Sequence, residues 1–288
     1  PARMIEELSP SMGIMYTTVY QKFQPKPCPA GMRRGIRGII MNDENRYLFL
    51  DFDGVLCDSA GECWESAVRA YEKLQGENGA GFTPADKSLF LELRPLIRNG
   101  EDYIILLEAI REEIPLETQE DFDALLARFS DEELTGFGKA FLDGRKELFE
   151  EDREGWLGMN PLYPEVEKTI RRCAEVSRVR ILSTKPVEYI RLILAHWGID
   201  WDEPRITYTP GKQKTAYISD FLDARAGTHR GGAAFVEDQY ANLRTSDDPR
   251  ITGYLAEWGY MQDAWRDNPE GYRVIDPEGF AQVASDFL

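Results

Sequence analysis

The stretch Tyr47-Leu48-Phe49-Leu50-Asp51-Phe52-Asp53-Gly54 constrains this chain more than any other. Four apolar residues in a row read as a buried strand. The run stops on two aspartates separated by one residue, with Gly54 next. Two carboxylates at a strand's C-terminal end repel each other and need a counter-charge, most simply a hard divalent cation. In open α/β sheets that end of a strand is also where ligands bind. The plain alternative is an acidic turn after an edge strand, since Asp-x-Asp alone is a common pattern.

The patterning on either side says what that strand belongs to. From about Ser59 to Glu154 the apolar spacing is helical, with no strand-like alternation. Thr83-Pro84 reads as an N-cap followed by proline in the first turn, and Ser130 with Glu133 has the form of a capping box. After Gly155 short apolar runs appear at Val179 to Leu182, Arg205 to Tyr208, Ala233 to Val236, Ile251 to Leu255 and Tyr272 to Ile275. Helical stretches such as Pro164 to Val176 and Glu188 to Trp197 separate them. Strands alternating with helices imply an α/β fold, a Rossmann-like, doubly wound parallel sheet. Arg46 to Leu50 is then its first strand, with the helical block inserted just behind it. The expected division is an extension over residues 1–45, an α/β core from 46–57 and 155–288, and an all-helical insert over 58–154.

Asp51-Phe52-Asp53-Gly54-Val55 resembles the first motif of the haloacid dehalogenase superfamily, whose members are mostly phosphatases. That resemblance implies three further signatures in fixed order, each following a hydrophobic strand. The second, a Ser or Thr, is supplied by Ser183 at the end of Val179-Arg180-Ile181-Leu182. The third, a Lys near a helix start, is supplied by Lys214, with Lys212 in reserve. The fourth, one or two acids, is supplied by Glu237 and Asp238 after Ala233 to Val236. Phrases such as Leu93-Arg94-Pro95, Gly155-Trp156 and Glu257-Trp258-Gly259-Tyr260 are similar to a branch of the superfamily frequent in photosynthetic organisms. The resemblance spans roughly Arg46 to Leu288 and makes the helical insert a cap over the core.

By that resemblance Asp51 is the nucleophile of a phosphatase, forming an aspartyl-phosphate, and Asp53 is the general acid and base. Ser183 and Lys214 bind the transferring phosphoryl group. Mg²⁺ sits on Asp51, the backbone carbonyl of Asp53, Asp238 and Glu237. The implied substrate is a small phosphorylated metabolite, reminiscent in general terms of phosphoglycolate phosphatases. Phosphomutase chemistry keeps the same motifs. Dehalogenation needs no cation and would leave Asp53 and the Glu237-Asp238 pair idle. A catalytically silent binding protein usually loses Asp51 or Asp53 equivalents, and both are present.

Bulk properties fit a soluble enzyme. The net charge of −17 argues against nucleic acid or an anionic membrane as the main partner. It also means that local positive charge must receive an anionic substrate. No apolar stretch approaches the roughly 20 residues that span a bilayer. Cys28, Cys57, Cys63 and Cys173 show no metal spacing and read as reduced thiols of an intracellular protein. Residues 8–42 hold five basic and no acidic side chains, so the extension is either loosely packed or a transit peptide, which would make the location plastid rather than cytoplasm. Arg94 and Arg98 are candidates for meeting an anionic substrate, or else part of a solvated helix face. His196 reads as a packed helix residue and His229 as a loop residue. The cap aromatics Trp64, Tyr71 and Phe90 read as core.

Overall fold

The computed structural model describes residues 46–76, 81–209, 213–225, 231–244, 247–267 and 271–288. The N-terminal extension with Cys28, the reserve lysine Lys212 and the loop histidine His229 lie outside the described residues.

Among the described residues six strands form one sheet: β1 (Tyr47–Leu50), β2 (Val179–Ser183), β3 (Ile206–Tyr208), β4 (Ala233–Glu237), β5 (Ile251–Ala256) and β6 (Tyr272–Ile275). Their spatial order is β3-β2-β1-β4-β5-β6, and every pairing is parallel. Each strand lies within a residue of the apolar run that marked it in the sequence. The reason is burial on both faces, which leaves no room for polar alternation. Leu48 and Leu50 of β1 point to one face, with Val179, Ile181, Ala234 and Val236. Phe49 points to the other, with Leu182, Ala233, Phe235 and Leu255.

Helices cover both faces. On the first face pack α6 (Arg153–Gly158), α7 (Glu167–Ala174), α8 (Val187–His196) and α12 (Pro277–Ser285), through Trp156, Ile170, Ile190 and Phe280. On the second pack α9 (Lys214–Asp223), α10 (Tyr240–Arg244) and α11 (Asp263–Asp267), through Ile218, Phe221, Leu243 and Trp265.

Between β1 and α6 the described chain is helical: α1 (Ala60–Gln75), α2 (Pro84–Glu92), α3 (Gly100–Arg111), α4 (Gln119–Leu126) and α5 (Asp131–Glu151). These helices have a core of their own, where Trp64, Tyr71, Phe90, Tyr103, Phe122 and Phe141 are buried together. Thr83 and Ser130 cap α2 and α5 as their sequence signatures indicate, each in a full capping box. Asn99 with Asp102 and Thr118 with Asp121 make two more, with Asp in place of Glu. The outgoing and returning chains run side by side: Asp58 N–H donates to Pro161 O at 2.9 Å and Tyr163 N–H to Leu56 O at 3.2 Å. The insert therefore leaves and rejoins the sheet at the site of the two aspartates.

The chain runs β1 to β2 to β3 toward one edge and then returns to place β4 on the other side of β1. The crevice between β1 and β4 is thus the point where strand order reverses, the favoured binding position in such sheets. Register keeps the strand ends level, with Leu50 opposite both Val236 and Ile181. Phe235, fully buried on β4, tests how much that arrangement depends on the second face. Phe235→Ala is expected to cost about 3–5 kcal/mol in urea unfolding; a loss below 1 kcal/mol would contradict the packing described.

Candidate active site

Asp51 follows β1 directly, and its N–H donates to Val236 O at 2.9 Å. That bond continues the β1–β4 ladder by one residue and brings Asp51 beside the acids that end β4. One carboxylate oxygen each from Asp51, Glu237 and Asp238 lie within 4.8 Å of one another, and all three residues are buried. Lys214, at the start of α9 and 3% exposed, reaches in from the neighbouring crossover. Its Nζ lies 2.6 Å from Asp51 Oδ2 and 2.8 Å from Glu237 Oε2. Glu237 Oε1 accepts from the Gln239 N–H at 3.1 Å, so both of its oxygens are engaged within the protein.

Three carboxylates and one ammonium leave a surplus of negative charge away from water. Burial first, and then the Glu237 charge, push the Asp51 carboxyl up to about 8 despite Lys214. Burial and the Asp51 charge push Asp238 up to about 6, and burial also raises Glu237. Burial would lower Lys214, but Asp51 and Glu237 outweigh it and hold the lysine above its ordinary value. A set of hard oxygen donors that resists ionising on its own fits a small divalent cation, whose charge would reverse those shifts.

Asp53, two residues on, faces different company. Its carboxylate is not in the three-acid cluster; Oδ1 lies 2.8 Å from the Nζ of Lys185, a lysine 1% exposed. Burial alone would raise Asp53, but the Lys185 ammonium overrides it and holds the carboxyl below its ordinary value. Each aspartate of the pair therefore has its own lysine. Ser183 ends β2, 1% exposed, and its Oγ accepts from the Lys185 N–H at 3.1 Å, which leaves the hydroxyl proton to donate.

Two glycines make the packing possible. Gly54 has φ +80, and a Cβ there would lie 2.2 Å from Asp238 Oδ2. A Cβ on Gly259 would lie 2.1 Å from Gly54 O and 2.7 Å from Asp238 Cβ. The Tyr260 N–H donates to Asp238 Oδ2 at 3.3 Å, and its hydroxyl to Asp58 at 2.8 Å. Above this floor the insert comes down: Gln239 Nε2 donates to Pro95 O at 3.2 Å, and the guanidinium of Arg94 lies 4.1 Å from the centre of the Tyr260 ring.

The structure thus brings Asp51, Asp53, Ser183, Lys214, Glu237 and Asp238 to one end of the sheet. Arg94 is buried beside them, whereas Arg98 pairs with Asp123 on the outside of the insert. His196 lies away from the site, 3.7 Å from Glu154. Sequence reasoning passed over Lys185, although it stands two residues after Ser183, and over the glycine at 259, whose role depends on a contact with residue 54.

No protein-family model matches the chain, and no curated protein matches it. Solved structures do. A predicted phosphatase from Clostridium acetobutylicum superposes with a TM-score of 0.53 at 14% identity, over 84% of this chain and 99% of that one. A haloacid dehalogenase-like hydrolase from Streptococcus pneumoniae gives 0.50 at 14% identity, over 85% and 98%. A predicted phosphoglycolate phosphatase from Haemophilus somnus gives 0.50 at 16% identity, over 83% and 96%. The fold is therefore the haloacid dehalogenase-like α/β fold.

The close approach at Gly259 gives a direct check on the site. Gly259→Ala sets a methyl group against backbone and is expected to destabilise the protein by about 1–3 kcal/mol, read by chemical denaturation. An unchanged unfolding midpoint would show that the two loops are not packed as described.

Proposed function

We propose that this protein is a phosphatase for small phosphomonoesters, working through an aspartyl-phosphate on Asp51. What carries the reading is the division within Asp-x-Asp: Asp51 faces Lys214 and the acid pair of β4, while Asp53 faces Lys185. Two like groups in unlike surroundings are what a nucleophile and an acid–base partner require. The solved structures that share the fold include a predicted phosphatase and a predicted phosphoglycolate phosphatase, which supports the reading.

In the first step a carboxylate oxygen of Asp51 bonds to phosphorus as the ester P–O bond breaks. Lys214, 2.6 Å away, balances charge on the nucleophile and the transferring group, and the Ser183 hydroxyl donates to a phosphoryl oxygen. Arrival of an anionic ester beside Asp53 raises that carboxyl's affinity for a proton. Asp53 then passes the proton to the leaving oxygen. Left ionised opposite Lys185, it removes a proton from the water that attacks the acyl phosphate.

Asp51, Glu237 and Asp238, with the backbone carbonyl of Asp53, would hold Mg²⁺. A bound ion there supplies positive charge against the nucleophile and the phosphoryl oxygens. With a cation bound, Lys214 and Arg94 would offset the remaining acid charge where an anionic ester arrives. A helical cap over the site excludes bulk water and favours small substrates. The buried free thiols Cys57, Cys63 and Cys173 suit a reducing, intracellular setting. Among the described residues no helix is long and apolar enough to cross a membrane.

Hydrolysis of p-nitrophenyl phosphate with Mg²⁺ tests the proposal, with Asp51→Asn as the inactive control. Asp53→Asn is expected to lower kcat by about 10²–10⁴-fold while the fold stays intact; wild-type-like rates would remove the acid–base role. EDTA should abolish turnover and Mg²⁺ restore it. Indifference to the chelator would mean that the acid cluster does not hold a catalytic cation.

A further inference from the structure

Four charged side chains run in line from the insert into the site. Arg145 on α5 and Glu62 on α1 are 5% and 0% exposed. They form a two-pronged pair, Arg145 Nε and Nη2 donating to the Glu62 carboxylate at 2.8 and 2.9 Å. Glu62 also accepts from the Ser66 hydroxyl at 2.5 Å and from the indole N–H of Trp156 at 3.3 Å. Its Oε2 lies 3.9 Å from Lys185 Nζ. Lys185 donates to Asn160 Oδ1 at 3.1 Å and meets Asp53 Oδ1 at 2.8 Å. The signs alternate from Arg145 to Asp53, so each inner charge has an opposite charge on both sides.

Holding the insert against the core does not explain this line. Buried ion pairs are often no more stabilising than packed apolar residues of the same volume, because desolvation offsets the attraction. The insert is fastened elsewhere too, by Gln239 on Pro95 and by Arg94 on Tyr260. An apolar contact, however, cannot fix the direction of a carboxylate. The Asp53 side chain is 19% exposed and at the open end of the line, where an unanchored carboxylate would sample several rotamers. Ser59 also hydrogen-bonds the Asp53 carboxylate, and Lys185 is suited to fix it further: its backbone is tied to Ser183, and its ammonium lies between Asn160, Glu62 and Asp53.

We infer that Lys185 is a positioning residue for Asp53, and that Glu62, clamped by Arg145, ties that lysine to the seating of α1 and α5. The inference rests on the phosphatase reading above. Asp53 is aimed at the leaving oxygen when the insert is seated on the core, so seating of the cap and acid–base competence are one event. Catalysis without a properly placed acid then discriminates between leaving groups. p-Nitrophenolate departs readily unprotonated, whereas an alkoxide needs the Asp53 proton as its P–O bond breaks.

The test compares kcat/KM for p-nitrophenyl phosphate and for phenethyl phosphate in the full-length, Mg²⁺-loaded protein. Lys185→Met is expected to lose at least about tenfold more on the alkyl ester than on the aryl ester, within the range that positioned proton transfer contributes. KM for either ester should change little, and Lys185→Arg should recover part of the difference. Glu62→Gln, nearly isosteric, should act in the same direction with a smaller ratio, and it decides the matter if Lys185→Met does not fold. Equal losses on both esters, or no loss, in folded variants would overturn the inference alone. Absence of wild-type turnover on both esters would overturn the phosphatase reading and this inference with it.

Discussion

Everything at this site depends on keeping two carboxylates, one residue apart, from behaving alike. A pair of aspartates at a strand end would ordinarily repel and share a proton. Here the two have different partners. Lys214 arrives from the crossover after β3 to meet Asp51, and Lys185 arrives from the turn after β2 to meet Asp53. The two lysines are 3% and 1% exposed, so water screens neither pair strongly. The two acids therefore sit in two different, buried electrostatic neighbourhoods.

The sheet makes those neighbourhoods possible. All-parallel pairing with level strand ends delivers the residues after β1, β2 and β4 to one edge of the core. The reversal of strand order beside β1 opens a crevice there. The insert leaves and returns between these same residues, with its two connecting segments hydrogen-bonded side by side. Its inner helices contribute Glu62 and Arg145 to the interior, and its loop places Arg94 over Tyr260. Tight clearances at Gly54 and Gly259 set the floor on which Asp238 rests.

The sequence makes visible whatever is local along the chain. Buried parallel strands appear as short apolar runs, and the acids, serine and lysine of the site stand immediately after such runs or at a helix start. Asp51, Asp53, Ser183, Lys214, Glu237 and Asp238 could therefore be singled out by number. Partnerships across the chain were hidden. Lys185 is visible beside Ser183, but nothing nearby tells that it meets Asp53. Glu62 and Arg145 are 83 positions apart, and their pairing follows from the packing of α1 on α5. Glu62 and Ser66 do share one helical face with buried Cys63 and Ala67, and a buried glutamate on such a face is the one signal that could have marked it. The glycine at 259 reads as an ordinary turn residue until its clearance from Gly54 is known.

The central claim is that the Asp51 carboxylate becomes covalently phosphorylated. The most direct measurement is acid quenching during turnover of a phosphomonoester with Mg²⁺, followed by borohydride reduction and peptide mass spectrometry. An acyl phosphate on Asp51 would be reduced to homoserine at position 51 and nowhere else. Unmodified Asp51 in a protein that is turning over, or conversion at Asp53, Glu237 or Asp238 instead, would contradict the account.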